Sequence, residues 1–296
     1  MHASVPLRPL HPLRGKTALV TGVSRRRGIG FAVAIKLAAL GASIVTQHHR
    51  DHDLAQPWGG DDLEAVRDGI RSSLTEDAVA DDISADLADP DAIGAVFERA
   101  AGLTGSVDIL VCNHAKSGDD GSILDMTPER LDAFWQVNAR STLLLTAAFA
   151  RHKTRSPDEP RRRPGERITS ERPYVEPQGH VFWMTSGQVH GPMRGEIAYA
   201  TSKAALAGVT ASVAAELLEL GIILNTVNPG PVNTGYLDPS TTDRPLHELD
   251  EYLQTTAFGR FGVPSDPAEL IGWLSTPAGS WIVGQVLTSD GGFSLG

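Results

Sequence analysis

The chain has 296 residues, 41% of them hydrophobic, and a formal net charge of −10 at pH 7. This charge argues against general nucleic-acid binding, and the longest apolar run, 142–150, is too short to span a membrane. A single cysteine, Cys112, excludes an intrachain disulfide and is typical of a reducing compartment. Residues 1–10 lack the apolar stretch of a signal peptide, so we expect a cytoplasmic protein.

Strand-like and helix-like segments alternate from residue 16 onward. Because this alternation is typical of a parallel sheet covered on both faces, we predict a doubly wound, seven-stranded α/β fold of the Rossmann type. It forms one domain over 15–296, preceded by an arm over 1–14. The predicted strands are 17–21, 42–47, 78–84, 109–112, 181–185, 223–228 and 285–288; the predicted helices are 31–40, part of 53–73, segments starting at Pro90 and Pro128, and 199–220.

A basic, proline-containing segment interrupts this pattern. Residues 151–172 hold eight lysines and arginines against four acids. A nucleic-acid-binding arm is one interpretation, but no aromatic residues interleave the arginines. We favour a solvated insertion at about 151–178 and expect no nucleic-acid partner.

The first strand runs into a glycine-bearing turn and then a helix, a context in which backbone approaches a pyrophosphate. The second strand ends without the acid that would hold the ribose hydroxyls of NAD, and basic side chains follow it. Guanidinium groups match phosphate oxygens, so we predict a preference for NADP(H), with NAD(H) as the alternative. The residues concerned are Gly22, Ser24, Arg25, Arg26, Arg27, Gly28, Ile29, Gly30, His49 and Arg50.

Tyr199 and Lys203 are four residues apart on a predicted helix and therefore share one face, thirteen residues after Ser186. A neighbouring ammonium favours the phenolate and lowers the tyrosine pKa toward the range useful for proton exchange. Taken alone, such a pair is more typical of a solvated helix face. The other motifs decide between the two interpretations.

Read together, the motifs resemble those of the short-chain dehydrogenase/reductase family over roughly residues 15–296. They arrive in the family's order: the glycine turn, Asp86-Leu87, Asn113-His-Ala115, Asn138, Ser186, Tyr199 with Lys203, 228–234 and Asp290-Gly-Gly292. The resemblance implies catalytic roles for Asn138, Ser186, Tyr199 and Lys203. It also places cofactor contacts at Asp86, Leu87, Asn113, Ala115, Tyr199, Lys203, Pro229, Gly230, Val232 and Thr234.

Three departures qualify this resemblance. The glycine turn has five residues between Gly22 and Gly28 instead of three, as in enoyl reductases of the superfamily. Those enzymes space their tyrosine and lysine more widely, and Glu196 stands here in the place of that tyrosine, so enoyl reduction is not expected. His114 and Lys116 replace more common residues after the fourth strand. The basic insertion lengthens the segment between Asn138 and Ser186.

The substrate is the least constrained part of the prediction. Reductases of carrier-bound 3-oxoacyl groups usually carry basic side chains on the helix after the lysine, whereas 204–221 has none. We therefore favour a small free ketone or secondary alcohol, with 3-oxoacyl-carrier-protein reduction and a non-catalytic cofactor-sensing or scaffold role as alternatives. His190 and Arg194 are expected to face either the substrate or solvent.

Two further predictions concern metal and assembly. His48, His49 and His52 cluster in sequence, but the family's reaction needs no metal and we predict none. Family members form dimers and tetramers, and a homodimer or homotetramer is expected here. Its contact would involve the small residues Ala204, Ala207, Ala211 and Ala215, which equally suit packing inside one subunit.

Overall fold

The computed structural model describes residues 10–154, 163–167, 174–242 and 246–295. Its strands are β1 (Thr17–Thr21), β2 (Ser43–His48), β3 (Ala80–Ser84), β4 (Ile109–Cys112), β5 (Gly179–Met184), β6 (Ile222–Asn228) and β7 (Val286–Thr288). They form one sheet in the order β3-β2-β1-β4-β5-β6-β7, with every neighbouring pair parallel. The predicted doubly wound fold is confirmed. The strand order reverses between β1 and β4, the position at which such sheets bind ligands.

Helices cover both faces of the sheet. They are α1 (Ile29–Ala39), α2 (Arg50–Leu54), α3 (Leu63–Arg71), α4 (Pro90–Thr104), α5 (Pro128–Phe134), α6 (Ser141–Thr154), α7 (Ile197–Glu219), α8 (Leu246–Thr255) and α9 (Ser265–Leu274). A π-helical turn, Trp135–Arg140, joins α5 to α6. None of the helices in the described ranges is long and apolar enough to cross a membrane.

Alternate residues of the central strands supply two separate cores, because successive strand side chains point to opposite faces. Val20 and Ile44 pack with Leu37 of α1 and Ile271 of α9 on one face. On the other face, Leu19, Val45 and Leu110 pack with Phe149 of α6 and Leu206 of α7. Burial on both sides explains why these strands are continuous apolar runs in the sequence.

Some element boundaries differ from the predicted ones by one to three residues. The third strand begins at Ala80 instead of 78, because Ala78 N–H closes a turn onto the Thr75 carbonyl at 3.0 Å. The region 53–73 contains α3 and the end of the short helix α2, separated by a loop. Helices α8 and α9 were not predicted from the sequence.

The predicted insertion falls between the end of α6 and the start of β5 in the chain. Residues 151–154 belong to α6, whereas 155–162 and 168–173 fall outside the described residues. After these, the Tyr174 hydroxyl donates to the Glu219 carbonyl at the end of α7. The arm over 1–14 is described only from residue 10, and there Leu13 is already buried in the core at 2% exposure.

Candidate active site

A cleft of about 1570 Å³ opens at the carboxyl ends of the strands. Most of the predicted site residues line it: Gly22, Ser24, Arg25, Gly28, Ile29, His49, Asp86, Leu87, Asn113, Ala115, Ser186, Tyr199, Lys203, Pro229, Gly230, Val232 and Thr234. Five others do not reach its wall: Arg26, Arg27, Gly30, Arg50 and Asn138. The structure therefore brings together, in one cleft, residues that follow six of the strands and two residues of α7.

The glycine turn joins β1 to α1 by a close backbone crossing. Gly22 has φ +72°, and a Cβ there would lie 2.7 Å from the His114 Cα, so glycine is required. Helix α1 starts after Gly28 with no side chain capping its N-terminus. Its first amide groups are therefore available to an anion, and the helix dipole favours one. This cradle fits the pyrophosphate of a dinucleotide.

The three arginines of the turn are each paired with an aspartate. Arg25 Nε lies 3.1 Å from Asp53 Oδ1. Arg26 and Arg27 form ion pairs of 2.8 Å with Asp61 and Asp238 respectively. In this structure they hold neighbouring loops to the turn. Burial lowers the pKa of Arg25, although the adjacent Asp53 carboxylate opposes that effect.

The residues at the end of β2 lie beside the glycine turn. Gln47 is buried: it accepts the Gly22 N–H at 3.0 Å and donates to the Ala85 carbonyl at 2.7 Å. His49 lines the cleft, and Arg50 begins α2 beside it. Arg50 makes no ion pair with any carboxylate of the described residues. Asp51 also lines the cleft and adds an acid next to this basic pair.

Residues 55–60 form a segment, here called the strap, of which 55–58 line the cleft. Trp58 packs edge-on against the Tyr236 ring at 6.4 Å between centroids, and the Arg25 guanidinium lies 5.7 Å from the Trp58 ring. On the other side, a Cβ at Gly118 would collide with Gln56 Oε1, and Gly118 has φ +74°. The strap thus contacts two loops that belong to different strand ends.

Tyr199 and Lys203 share one face of α7, as their spacing predicts. The Lys203 Nζ lies 5.7 Å from the centre of the Tyr199 ring and donates to the Met184 carbonyl at 2.9 Å. Lys203 is only 2% exposed, and this burial lowers its pKa to about 8. The pair lies in the cleft wall with the ammonium beneath the phenol ring. This burial excludes the alternative interpretation, in which Lys203 lies on a solvated helix face.

Ser186 follows β5 and lines the cleft beside Tyr199. Its neighbour Thr185 is 3% exposed, and the Thr185 hydroxyl donates to the Lys203 carbonyl at 3.0 Å. Thr185 also accepts from Gln188 Nε2 at 2.8 Å. Since the threonine hydroxyl is engaged within the protein, the serine is the hydroxyl better placed to meet a ligand.

Asn138 lies behind the cleft wall, in the π-helical turn, and is fully buried. Its Oδ1 accepts the Lys116 N–H at 2.6 Å, and its Nδ2 donates to the Lys116 carbonyl at 3.2 Å and to Ser202 Oγ at 2.9 Å. The carboxamide therefore ties the loop after β4 to α7. Such π-helical turns occur frequently at functional sites.

His114 connects the π-helical turn to β1 and β4. Its Nδ1 lies 2.6 Å from Thr21 Oγ1, and its Nε2 lies 3.0 Å from the Val137 carbonyl and 2.7 Å from Ser141 Oγ. Burial is the main cause that lowers the His114 pKa to about 3, and the Lys203 charge adds to it. The neutral ring, with Nε2 as donor, satisfies all three partners. Next to it, Asn113 Nδ2 donates to the Thr21 and Gly22 carbonyls.

Asp120 caps the helix that carries Tyr199 and Lys203. Its two carboxylate oxygens accept the backbone N–H groups of Ala198, at 3.1 Å, and Tyr199, at 2.8 Å. The residue before α7 is Glu196, whose side chain makes no cap bond to the helix. A carboxylate from another loop therefore supplies the negative group that a helix N-terminus favours.

No three His, Cys, Asp or Glu side chains converge as metal ligands within the described residues. His48 is buried and lies 3.0 Å from Asp82, on the side of β3, whereas His49 and His52 line the cleft. The three histidines that cluster in sequence are therefore divided between two environments.

Sequence reasoning missed several residues that shape the site. Asp53 and Asp120 act through bonds to the glycine turn and to α7, and Trp58 anchors the strap. A usable signal existed for two of them. Helix α7 lacks a local capping side chain, which implies a cap from elsewhere. A tryptophan within Pro57-Trp58-Gly59-Gly60 indicates a loop that packs against the protein.

Fold and site together define a dinucleotide-dependent oxidoreductase. Residues 22–157 and 167–294 match the family model described as enoyl-(acyl carrier protein) reductase. The chain belongs to the short-chain dehydrogenase/reductase family, whose members it resembles over nearly its whole length. It is accordingly an NAD(P)-dependent enzyme of that family.

Individual relatives agree with this membership. The chain is 33% identical to the uncharacterized oxidoreductase YjdA of Bacillus subtilis, over 95% of this chain and 98% of that protein. It is 30% identical to an NADPH-dependent aldehyde reductase-like chloroplastic protein of Arabidopsis thaliana, over 99% and 98% respectively. A Burkholderia cenocepacia short-chain dehydrogenase, solved in complex with NADP, is 32% identical, with TM-score 0.73 and coverage of 95% of this chain and 99% of that one.

Proposed function

We propose that the protein interconverts a ketone and a secondary alcohol with NADP(H), using Tyr199 as general acid and base. The observation that carries this proposal is the buried Lys203 ammonium, 5.7 Å from the Tyr199 ring, in the cleft that Ser186 also lines. A positive charge held in a low-dielectric wall stabilises the phenolate that forms when the tyrosine gives up its proton.

Each side chain has a defined part in the proposed reaction. The cofactor, when bound, supplies or accepts the hydride. In the reduction, the Tyr199 hydroxyl gives its proton to the carbonyl oxygen, while the Ser186 hydroxyl donates a hydrogen bond to the same oxygen. Lys203 stabilises the resulting phenolate. Asn138 holds the loop after β4 against α7 and so maintains the shape of the wall.

The preference for NADP(H) over NAD(H) is part of the proposal. Supporting it, Arg50 and His49 stand after β2, where an acid would repel a 2′-phosphate, and Gln47 is committed to bonds within the protein. The Burkholderia relative was solved with NADP, and the Arabidopsis relative is named NADPH-dependent. The uncapped N-terminus of α1 would hold the pyrophosphate.

For the substrate we propose a small free carbonyl compound or secondary alcohol. The exposed face of α7 beyond Lys203 has no basic side chain that would dock an acidic carrier protein, and Glu216 is exposed there. The family model bears the name of enoyl reductases, but Glu196 in place of a second tyrosine favours carbonyl chemistry. We also propose a cytoplasmic location, which the single buried cysteine supports.

Replacing Tyr199 with phenylalanine tests the proton transfer. A panel of carbonyls and alcohols is first screened with NADPH, NADH and their oxidised forms at the nicotinamide absorbance. For any substrate found, Tyr199→Phe should lower kcat by about 10²–10⁴-fold, because the acid is lost while the ring remains. The NADPH Kd, from nucleotide fluorescence, should change little.

Tyr174→Phe is the matched control, because it removes a phenol hydroxyl far from the cleft, at the end of α7 that precedes β6. It should leave turnover unchanged. Near-normal turnover by Tyr199→Phe would show that another group transfers the proton. A lower Kd for NADH than for NADPH in the unaltered protein would contradict the cofactor preference.

A further inference from the structure

Lys116 occupies a fixed position in the wall of the cleft. Both its N–H and its carbonyl are bonded to the Asn138 carboxamide, at 2.6 and 3.2 Å, and Asn138 is fully buried. The main chain of Lys116 is thus held on two sides. The direction in which its side chain leaves the loop is set by this clamp.

The Lys116 side chain contacts an aromatic ring that also packs against Tyr199. The Lys116 Nζ lies 5.2 Å from the centre of the Phe134 ring, and that ring packs edge-on against Tyr199 at 6.5 Å between centroids. Phe134 is fully buried and cannot turn away. The Lys116 ammonium therefore contacts the same ring that packs against Tyr199, and both lysines line the same cleft.

This ammonium has no carboxylate partner among the described residues. The two acids of its own loop are engaged elsewhere: Asp119 lies 3.7 Å from Arg130, and Asp120 accepts the amides of α7. Two other cations of the cleft do have polar partners. Arg25 forms an ion pair with Asp53, and Lys203 donates to the Met184 carbonyl. Arg194 adds another positive charge to the lining of the same cleft.

We propose that Lys116 forms an anion subsite, so that the substrate carries a carboxylate or a similar negative group about one aromatic ring away from its carbonyl. Charge-assisted bonds to such a group would orient the carbonyl toward Tyr199 and Ser186. The inference rests on the proposed carbonyl chemistry and deepens it. It explains why a chain with a net charge of −10 keeps an unpaired lysine in this wall.

The test compares 4-acetylbenzoate with its methyl ester, which has nearly the same shape and no charge. For each compound, kcat/KM is measured with NADPH, and binding to the NADPH-loaded protein is measured by nucleotide fluorescence. We expect the unaltered protein to prefer the acid. Lys116→Gln should lower the ratio of acid to ester by about tenfold, mainly through KM, and Lys116→Arg should retain part of it.

Lys16→Gln is the matched control, because it removes one exposed lysine at the amino end of β1. It should leave the ratio unchanged. A ratio that Lys116→Gln does not alter, or a rise in the NADPH Kd that affects both compounds equally, overturns the subsite. The subsite is also overturned if the unaltered protein binds NADPH but shows no preference for the acid over the ester in turnover or binding. Failure to bind either nicotinamide cofactor would instead overturn the proposed function.

Discussion

His114 illustrates how one side chain can serve as a structural joint. The ring bonds to Thr21 at the end of β1 and to Val137 and Ser141 on either side of Asn138. It therefore fixes the turn behind the cleft to the sheet. Burial lowers its pKa to about 3, so the folded protein keeps it neutral where an unfolded chain would protonate it.

This difference in protonation predicts an acid sensitivity that resides in His114. Between about pH 6.5 and pH 3 the unfolded state binds a proton that the folded state does not, so the free energy of unfolding falls as the pH falls. The loss attributable to this group is about 2 kcal/mol from pH 8 to pH 5. Denaturant titrations at both pH values measure it.

His114→Asn should be less stable at neutral pH, because it loses part of the bond network. Its deficit should shrink by about 2 kcal/mol at pH 5, since asparagine does not titrate. His180, whose pKa is also lowered by burial, is present in both proteins and cancels. A constant deficit across the pH range would show that His114 is not held neutral.

At this scale the sequence predicted which residues lie together in the cleft better than it predicted their hydrogen-bond and ion-pair partners. Ser186, Tyr199 and Lys203 meet in one cleft because their spacing fixes their faces. The arginines of the glycine turn could not be assigned, because their aspartate partners lie on loops whose approach depends on the folded chain. Asp61 and Asp238 are separated from the turn by more than thirty and two hundred residues respectively.

At the scale of elements, α7 depends on a cap that comes from outside the helix. Asp120 holds two of its first amides with both carboxylate oxygens. Asp120→Asn keeps one acceptor but turns an N–H₂ group toward the other amide, and it removes the charge that complements the helix dipole. We expect a loss of about 1 kcal/mol and a fall in Tm of about 2–4 °C.

Asp119→Asn is the neighbouring control, because Asp119 is exposed and makes only a long ion pair to Arg130. Its Tm, measured by the same calorimetric scan, should stay within one degree of the unaltered protein. Equal changes in the two variants would mean that the loop, and not the cap, determines the stability of α7.

The order and type of the main elements followed from hydrophobic pattern, since buried parallel strands are apolar runs bounded by glycine and polar residues. The predicted ends of these elements were less accurate, because hydrogen bonds outside the sheet decide where a strand or helix ends. The π-helical turn and the contact partners of the strap could not be predicted from the sequence. Both depend on contacts between segments that are distant in sequence, such as Trp58 with Tyr236.

At the scale of the whole molecule, the described residues leave one face of α7 uncovered. Ala204, Ala211 and Ala215 are exposed, as are Val209 and Leu218 on the same helix. Small residues allow close approach of another helix, and exposed Leu144 of α6 extends the apolar surface. We propose that this face joins two copies of the chain in a homodimer or homotetramer.

A charge placed in that face should separate the copies. Ala211→Glu is expected to reduce the mass measured by light scattering after gel filtration, since burying an unpaired carboxylate at an interface is costly. Ala95→Glu, on the exposed surface of α4, is the matched control and should leave the mass unchanged. A monomeric mass for the unaltered chain would contradict the proposed assembly.

The strap beside the glycine turn joins two loops of the cleft wall. Trp58 packs against Tyr236, which follows β6, and Gln56 lies beside Gly118, which follows β4. Because one short segment contacts both loops, a displacement of the strap changes both contacts at once. Two loops that are far apart in sequence are therefore coupled through a third segment.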